Sequence, residues 1–217
     1  MALMFYSSQN RFIFRWSIYI IGLIIMSIGI SFIIKAELGS SPWDVLHIGL
    51  TEQFGLTIGS WTIIMGFFTL VTAAFLLKEW PKAGAYLNMI LVGVFVDLNL
   101  LILQTPPNLP GQATMLVTGI FIMGFGIGLY ISPRCGAGPR DSFMLAVSQK
   151  TGMTVSRVRG LMEIVVLGAG WYLGGPVFVG TILFCLTIGP ITGVCLTACQ
   201  SWMDRRMERG ISVENIH

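Results

Sequence analysis

Long uncharged apolar runs alternate with short polar breaks along the chain. Trp16–Ile34 is 19 residues without a charge, Leu56–Leu77 is a second such run, and Ala83–Leu103 is a third whose one ionisable group is Asp97. Positions 98–133 are uncharged throughout. Because Pro106-Pro107-Asn108-Leu109-Pro110 cannot lie in a helix interior, the fourth run is read from about Gln112 to Pro133. No charge appears between Glu163 and Asp204, and Gly174-Gly175-Pro176 divides that stretch into most of a fifth run and a sixth from Val177 to about Met203. A helix needs about 20 predominantly apolar residues to cross the roughly 30 Å hydrocarbon layer, so the pattern predicts six transmembrane helices.

Two stretches, Leu38–Phe54 and Cys135–Thr151, are too short and too polar to belong to that set, and each opens with Gly and Pro. Ser41-Pro42-Trp43-Asp44 reads as a helix start, with Ser41 at the N-cap, Pro42 where its missing N–H costs nothing, and Asp44 near the positive helix end. Gly138-Pro139-Arg140-Asp141 repeats the arrangement with Gly at the cap. Gly55 and Gly152 mark the ends, each followed by a Thr, Thr57 or Thr154, able to cap the next helix. Each stretch therefore predicts a helix of about a dozen residues.

Composition agrees with the pattern. Of 217 residues 54% are hydrophobic and only 11% charged, against roughly 25% charge in a soluble domain, which excludes a soluble enzyme, a disordered chain and a nucleic-acid binder. The 13 Lys and Arg residues sort by side. If the two short helices do not cross and the N-terminus is inside, Arg11, Arg15, Lys78, Lys82, Arg134, Arg140, Lys150, Arg157, Arg159, Arg205, Arg206 and Arg209 fall on the cytoplasmic side and only Lys35 outside, as positive charge distributes in membrane proteins. The chain is thus expected as a single integral domain of a bacterial plasma membrane, the bilayer its principal partner, with both termini cytoplasmic and 204–217 as a short tail. The first run is too long for a signal peptide and lacks a cleavage site. The four cysteines (Cys135, Cys185, Cys195, Cys199) form no metal or disulfide pattern and are expected as buried packing residues.

The sequence also repeats itself. A shift of 97 places Gly22, Ile25 and Met26 on Gly119, Ile122 and Met123, then Gly29-Ile30 on Gly126-Ile127, Gly39 on Gly136, Pro42 on Pro139, Asp44 on Asp141, Gly55 on Gly152 and Thr57 on Thr154; with Ile34 on Ile131 this makes 11 identities over positions 22–58. With one residue removed, Gly84 and Gly93 fall on Gly180 and Gly189. Each unit, approximately 12–104 and 111–203, holds three spans and one short helix. Three crossings invert the second unit relative to the first, an architecture common among secondary transporters.

The expected fold is therefore an all-α polytopic membrane helix bundle: six transmembrane helices plus two short helices, built as an inverted repeat. Two placements of the short helices are open. Trp43, Leu46, Leu50 and Phe54 at helical spacing suit an interfacial face. Alternatively both helices are re-entrant, bringing two N-termini and Asp44 and Asp141 to a midplane site, with Pro42, Trp43, Pro139 and Arg140 around it. The repeat keeps the loop chemistry while the spans drift, which favours the re-entrant arrangement. Asp97, without a local partner, is a candidate coupling or ligand group; Glu163 pairs by spacing with Arg159 but also lies in a span; His47 is a candidate proton-linked ligand or a packed histidine. Gly22, Gly29, Gly119, Gly124, Gly126 and Gly128 read as packing within one subunit, a homodimer being the one protein partner left open. Gly124-x-Gly126-x-Gly128 sits in an apolar run and is no dinucleotide fingerprint; no enzyme, metal or cofactor is expected.

The strings Gly39-Ser-Ser-Pro42-Trp43-Asp44-Val-Leu-His47-Ile-Gly49-Leu, Gly55-Leu-Thr57-Ile-Gly59 and Gly136-Ala-Gly138-Pro139-Arg140-Asp141-Ser resemble the YczE/YyaS/YitT family of bacterial membrane proteins, most of all its YczE branch, from about Phe14 to Met203. The resemblance implies no catalytic residues. The placement of some members beside lipopeptide or polyketide synthesis genes implies an accessory role, and the soluble domain of the YitT branch has no counterpart after Asp204. Two functions are thus expected: a small secondary transporter or permease for a small polar or ionic solute, or a non-transporting partner of a biosynthetic or signalling complex.

Overall fold

A computed structural model describes the backbone of residues 8–214 and the side chains of residues 11–207. Eight helices follow one another: α1 (Ser8–Lys35), α2 (Pro42–Phe54), α3 (Ile58–Leu77), α4 (Ala83–Ile102), α5 (Leu109–Ile131), α6 (Pro139–Thr151), α7 (Val155–Tyr172) and α8 (Val179–Glu214). Five are long and apolar enough to cross a membrane: α1 over Arg11–Lys35, α3, α4, α5, and α8 over Val179–Met207. The expected fifth spanning segment falls on α7. It is an 18-residue helix whose first half carries Arg157, Arg159 and Glu163, so it falls short of that composition.

The predicted helix starts are built by the residues named for them. Ser41 Oγ accepts from the Asp44 N–H at 3.2 Å, Thr57 Oγ1 accepts from the Ser60 N–H at 3.0 Å, and Gly55 and Gly152 take positive φ at the ends of α2 and α6. Gly138 precedes α6 without a side-chain cap. The fourth span begins earlier than Gln112. Asn108 caps α5 by accepting from the Gly111 N–H at 2.8 Å, and Pro110 lies in the first turn, where proline is tolerated. Similarly α8 does not stop at Met203 but runs on as helix through Pro190 to Glu214. The cysteines differ from expectation: Cys199 is buried, Cys135 and Cys195 are half-buried, and Cys185 is exposed, since most of α8 faces away from the bundle.

The core is an antiparallel crossing of α1 and α5. Ideal Cβ atoms on Gly29 and Gly126 would each fall 2.4 Å from a backbone nitrogen of the other helix, that of Met123 and of Met26 respectively, so glycine alone permits this approach. Tyr19, Leu23, Ile30, Ile33, Ile120 and Met123 pack around the crossing. On either side α4 packs on α1 and α8 on α5, while α2 packs on α7 and α6 on α3. Helix α3 also lies against α4, where a Cβ on Gly59 would meet the Gly93 carbonyl oxygen at 2.1 Å. No comparable packing joins α7 to α8.

Candidate functional site

Helices α2 and α3 form a hairpin. Phe54 stacks near Trp61 at 6.1 Å beside the turn, and His47 Nδ1 reaches Thr62 Oγ1 at 3.1 Å, so the N-terminus of α2 points back into the bundle. Burial agrees: Pro42, Trp43, Asp44, Val45, Leu46, His47 and Gly49 are all buried. An interfacial helix would leave Trp43 and Leu46 exposed, but of that face only Phe54 is. The N-terminus of α6 meets that of α2. The Arg140 guanidinium lies over the Trp43 ring, 4.8 Å from its centroid, a cation–π contact removed from water.

Around this stack is a cavity of about 280 Å³ reached by every helix of the bundle. Of the residues singled out from sequence, Pro42, Trp43, His47, Pro139, Arg140, Asp141 and Glu163 line it. Asp44 sits just behind the wall, 2% exposed. It accepts from the Ser41 hydroxyl and lies 4.0 Å from His47 Nδ1. The Thr62 hydroxyl donates to the Ile58 carbonyl at 3.0 Å. The same hydroxyl lies 3.1 Å from His47 Nδ1. His47 lines the cavity, and its Nε2 has no hydrogen-bond partner. Asp141 accepts from the Tyr130 hydroxyl at 3.1 Å. Arg140, counted among the cytoplasmic positives, instead points into this cavity.

Asp97 is elsewhere. Its Oδ1 accepts from the Gly59 N–H at 2.8 Å and its Oδ2 from the Thr57 hydroxyl, so it caps the start of α3 and ties α3 to α4. Glu163 makes the expected bond with Arg159 Nε, 3.1 Å, at the cavity mouth. Tyr130 and Asn88 are among the polar lining residues that escaped the sequence reading, with Thr62, Thr69 and Thr192. Tyr130 and Asn88 sit in apolar runs, and a single amide in a span is the signal that could have found Asn88. Its side chain is 6% exposed and its Nδ2 has no hydrogen-bond partner. Six methionines (Met26, Met65, Met89, Met123, Met144, Met162) supply much of the apolar wall, a flexible and polarizable surface.

Fold and site together define an all-helical membrane protein enclosing a polar cluster in an apolar cavity. The chain belongs to the family of unknown function DUF6198, which matches residues 13–197. It is similar to a Bacillus subtilis (strain 168) protein described as uncharacterized membrane protein YczE, 42% identical over 184 residues covering 84% of this chain and 86% of that one. An uncharacterized protein of Haemophilus influenzae is 35% identical over 180 residues, 81% of this chain and 80% of that one. The uncharacterized protein YyaS of Bacillus subtilis is 28% identical over 172 residues, 78% and 86% of the two chains. No solved structure matches the chain.

Proposed function

We propose that the protein is a small secondary transporter in which two inverted halves alternate access to the cavity. The observation that carries this is the cavity lining itself. Met26 and Met123, Trp43 and Arg140, and Met65 and Met162 all line it and are pairs 97 residues apart; Asn88 with Phe184, and Val92 with Ile188, are pairs 96 apart. A cavity walled by equivalent positions of both halves lies on the axis relating them, where transporters of this architecture hold their solute. Further support comes from the backbone. Glu37 and Arg134, Gly39 and Gly136, and Gly55 and Gly152 share positive φ at the same repeat positions. The pairings α1 with α4 and α5 with α8, and α2 with α7 and α6 with α3, exchange under the same operation.

In this reading α7 is a sixth crossing, shielded from lipid on its charged side by the cavity, and α2 and α6 are re-entrant. Both termini are cytoplasmic, the side on which the loop positives gather. The protein carries out no bond-making chemistry. Arg140 holds a charged group of the solute against Trp43. Asp44 and Asp141 outnumber the one buried guanidinium, so the cluster reaches neutrality only with a bound proton or cation. Loading and release of that ion couple the solute to a gradient, with Tyr130 and Ser41 holding the two carboxylates in place.

The test is flux into proteoliposomes that trap a pH-sensitive dye, with candidate charged solutes applied outside. A saturable, solute-dependent pH change that falls at least ten-fold in Asp141→Asn and in Asp44→Asn is expected. Unchanged flux in both single variants would remove the aspartates from the mechanism.

A further inference from the structure

The cavity has an end that is not self-satisfied. Both carboxylates are taken up by their own neighbours, Asp44 by the Ser41 hydroxyl and Asp141 by the Tyr130 hydroxyl. The donors are not. Among the described residues no carboxylate oxygen lies within 4.0 Å of the Arg140 nitrogens, and none of its N–H groups donates a hydrogen bond. Asn88 Nδ2, a donor only, is unpartnered while its residue is 94% buried. The third donor set is the N-terminus of α6. Where Ser41 caps α2 internally, Gly138 offers α6 no side-chain cap, leaving the first N–H groups of a 13-residue helix open. These groups are adjacent: a Cβ on Gly138 would lie 3.3 Å from the Asn88 side-chain oxygen and 3.4 Å from the Tyr130 hydroxyl.

A buried amide donor, a guanidinium held by the Trp43 ring alone and an uncapped helix start call for acceptor oxygens, which carry the negative charge when protons neutralise Asp44 and Asp141. The rest of the cavity calls for something else. Met26, Met65, Met123, Met162, Phe184 and Ile188 wall it, with Met162 on α7 and Phe184 and Ile188 on α8, two helices between which no close packing is found among the described residues. An inorganic ion would leave that apolar volume unfilled. Resting on the transport reading for its purpose but not for its geometry, we propose that the cavity binds a single-tailed amphiphilic anion. Its carboxylate or phosphate head sits on Arg140, Asn88 and the α6 N-terminus, and its alkyl tail lies along the methionine wall toward α7 and α8.

The full chain, in a neutral maltoside detergent, is titrated with decyl phosphate, decanoate, decanol, decyltrimethylammonium and inorganic phosphate and read by native mass spectrometry. One adduct per chain is expected with decyl phosphate and decanoate. Decanol, the cation and inorganic phosphate should each bind at least ten-fold more weakly. Arg140→Gln should weaken decyl phosphate at least ten-fold and leave decanol unchanged. Asn88→Asp, which keeps the shape but presents an acceptor, should do the same, so that misfolding of one variant does not decide the matter. Equal occupancy by decanol or by the cation, or undiminished binding in both variants, would overturn the proposal. Inorganic phosphate binding as tightly as decyl phosphate would replace it with a small-anion site. Binding in micelles needs no transport, so binding without proteoliposome flux would count against the transporter alone, and flux of other solutes without binding against the amphiphile alone.

Discussion

Helices α3 and α4 pack closely, whereas α7 and α8, at the corresponding places in the second half of the chain, do not among the described residues. Helices α3 and α4 meet where Gly59 and Gly93 approach each other, and Asp97 fastens the contact through the Gly59 N–H and the Thr57 hydroxyl. Their equivalents, α7 and α8, keep Thr154 but carry Ser156 for Gly59, Gly189 for Gly93 and Gly193 for Asp97. A Cβ on Gly189 or Gly193 would meet nothing within 4 Å. Two differences, Ser156 for Gly59 and Gly193 for Asp97, thus separate a latched helix pair from an unlatched one, the glycine at 93 and 189 being common to both. In the proposed transporter this difference would leave one face open while the other is closed.

The glycine pair gives the sharpest contrast. Gly93→Ala forces a methyl to 2.6 Å from the Gly59 carbonyl oxygen, and overpacking of that kind costs about 1–3 kcal/mol. Gly189→Ala at the equivalent place should leave thermal unfolding in detergent unchanged within error, and equal losses in both would erase the asymmetry. Asp97→Ala comes next. Removing a charged acceptor from two donors should cost about 2 kcal/mol and increase hydrogen exchange at the N-terminal turn of α3, with α7 unaffected. The caps give the smallest effects. Ser41→Ala should cost about 1 kcal/mol, whereas Gly138→Ser, supplying α6 with the cap that α2 already has, should gain less than about 1 kcal/mol and lower decyl phosphate binding. Destabilisation by both cap variants would mean that the α6 start is already satisfied.

What could be read from sequence was local. Ser41-Pro42-x-Asp44 and Gly138-Pro139-x-Asp141 specify their helix starts through groups within three residues of one another, and both helices form there. The proline cluster places the predicted start of α5 too late, because Asn108 turns that cluster into a capped first turn. Asp97 misled for a related reason: its partners are 38 and 40 residues away, and one is a backbone N–H that no composition reveals. Asn88 and Tyr130 became site residues only when α4, α5 and α6 converged. The exposure of Cys185 follows from α7 standing apart from α8, a fact of packing that apolar composition cannot carry.

In the proposed transport cycle the α3–α4 pair opens while the α7–α8 pair closes. Spin labels at Phe68 and Ile90 report on α3–α4, and labels at their equivalents Val165 and Leu186 report on α7–α8, all four positions being exposed. Pulsed dipolar distances would be measured in bilayer discs, in a cysteine-substituted background, with and without Asp97→Ala. The account predicts that unlatching lengthens the Phe68–Ile90 distance and shortens the Val165–Leu186 distance together. Loosening of α3–α4 while the α7–α8 distance stays fixed would contradict it.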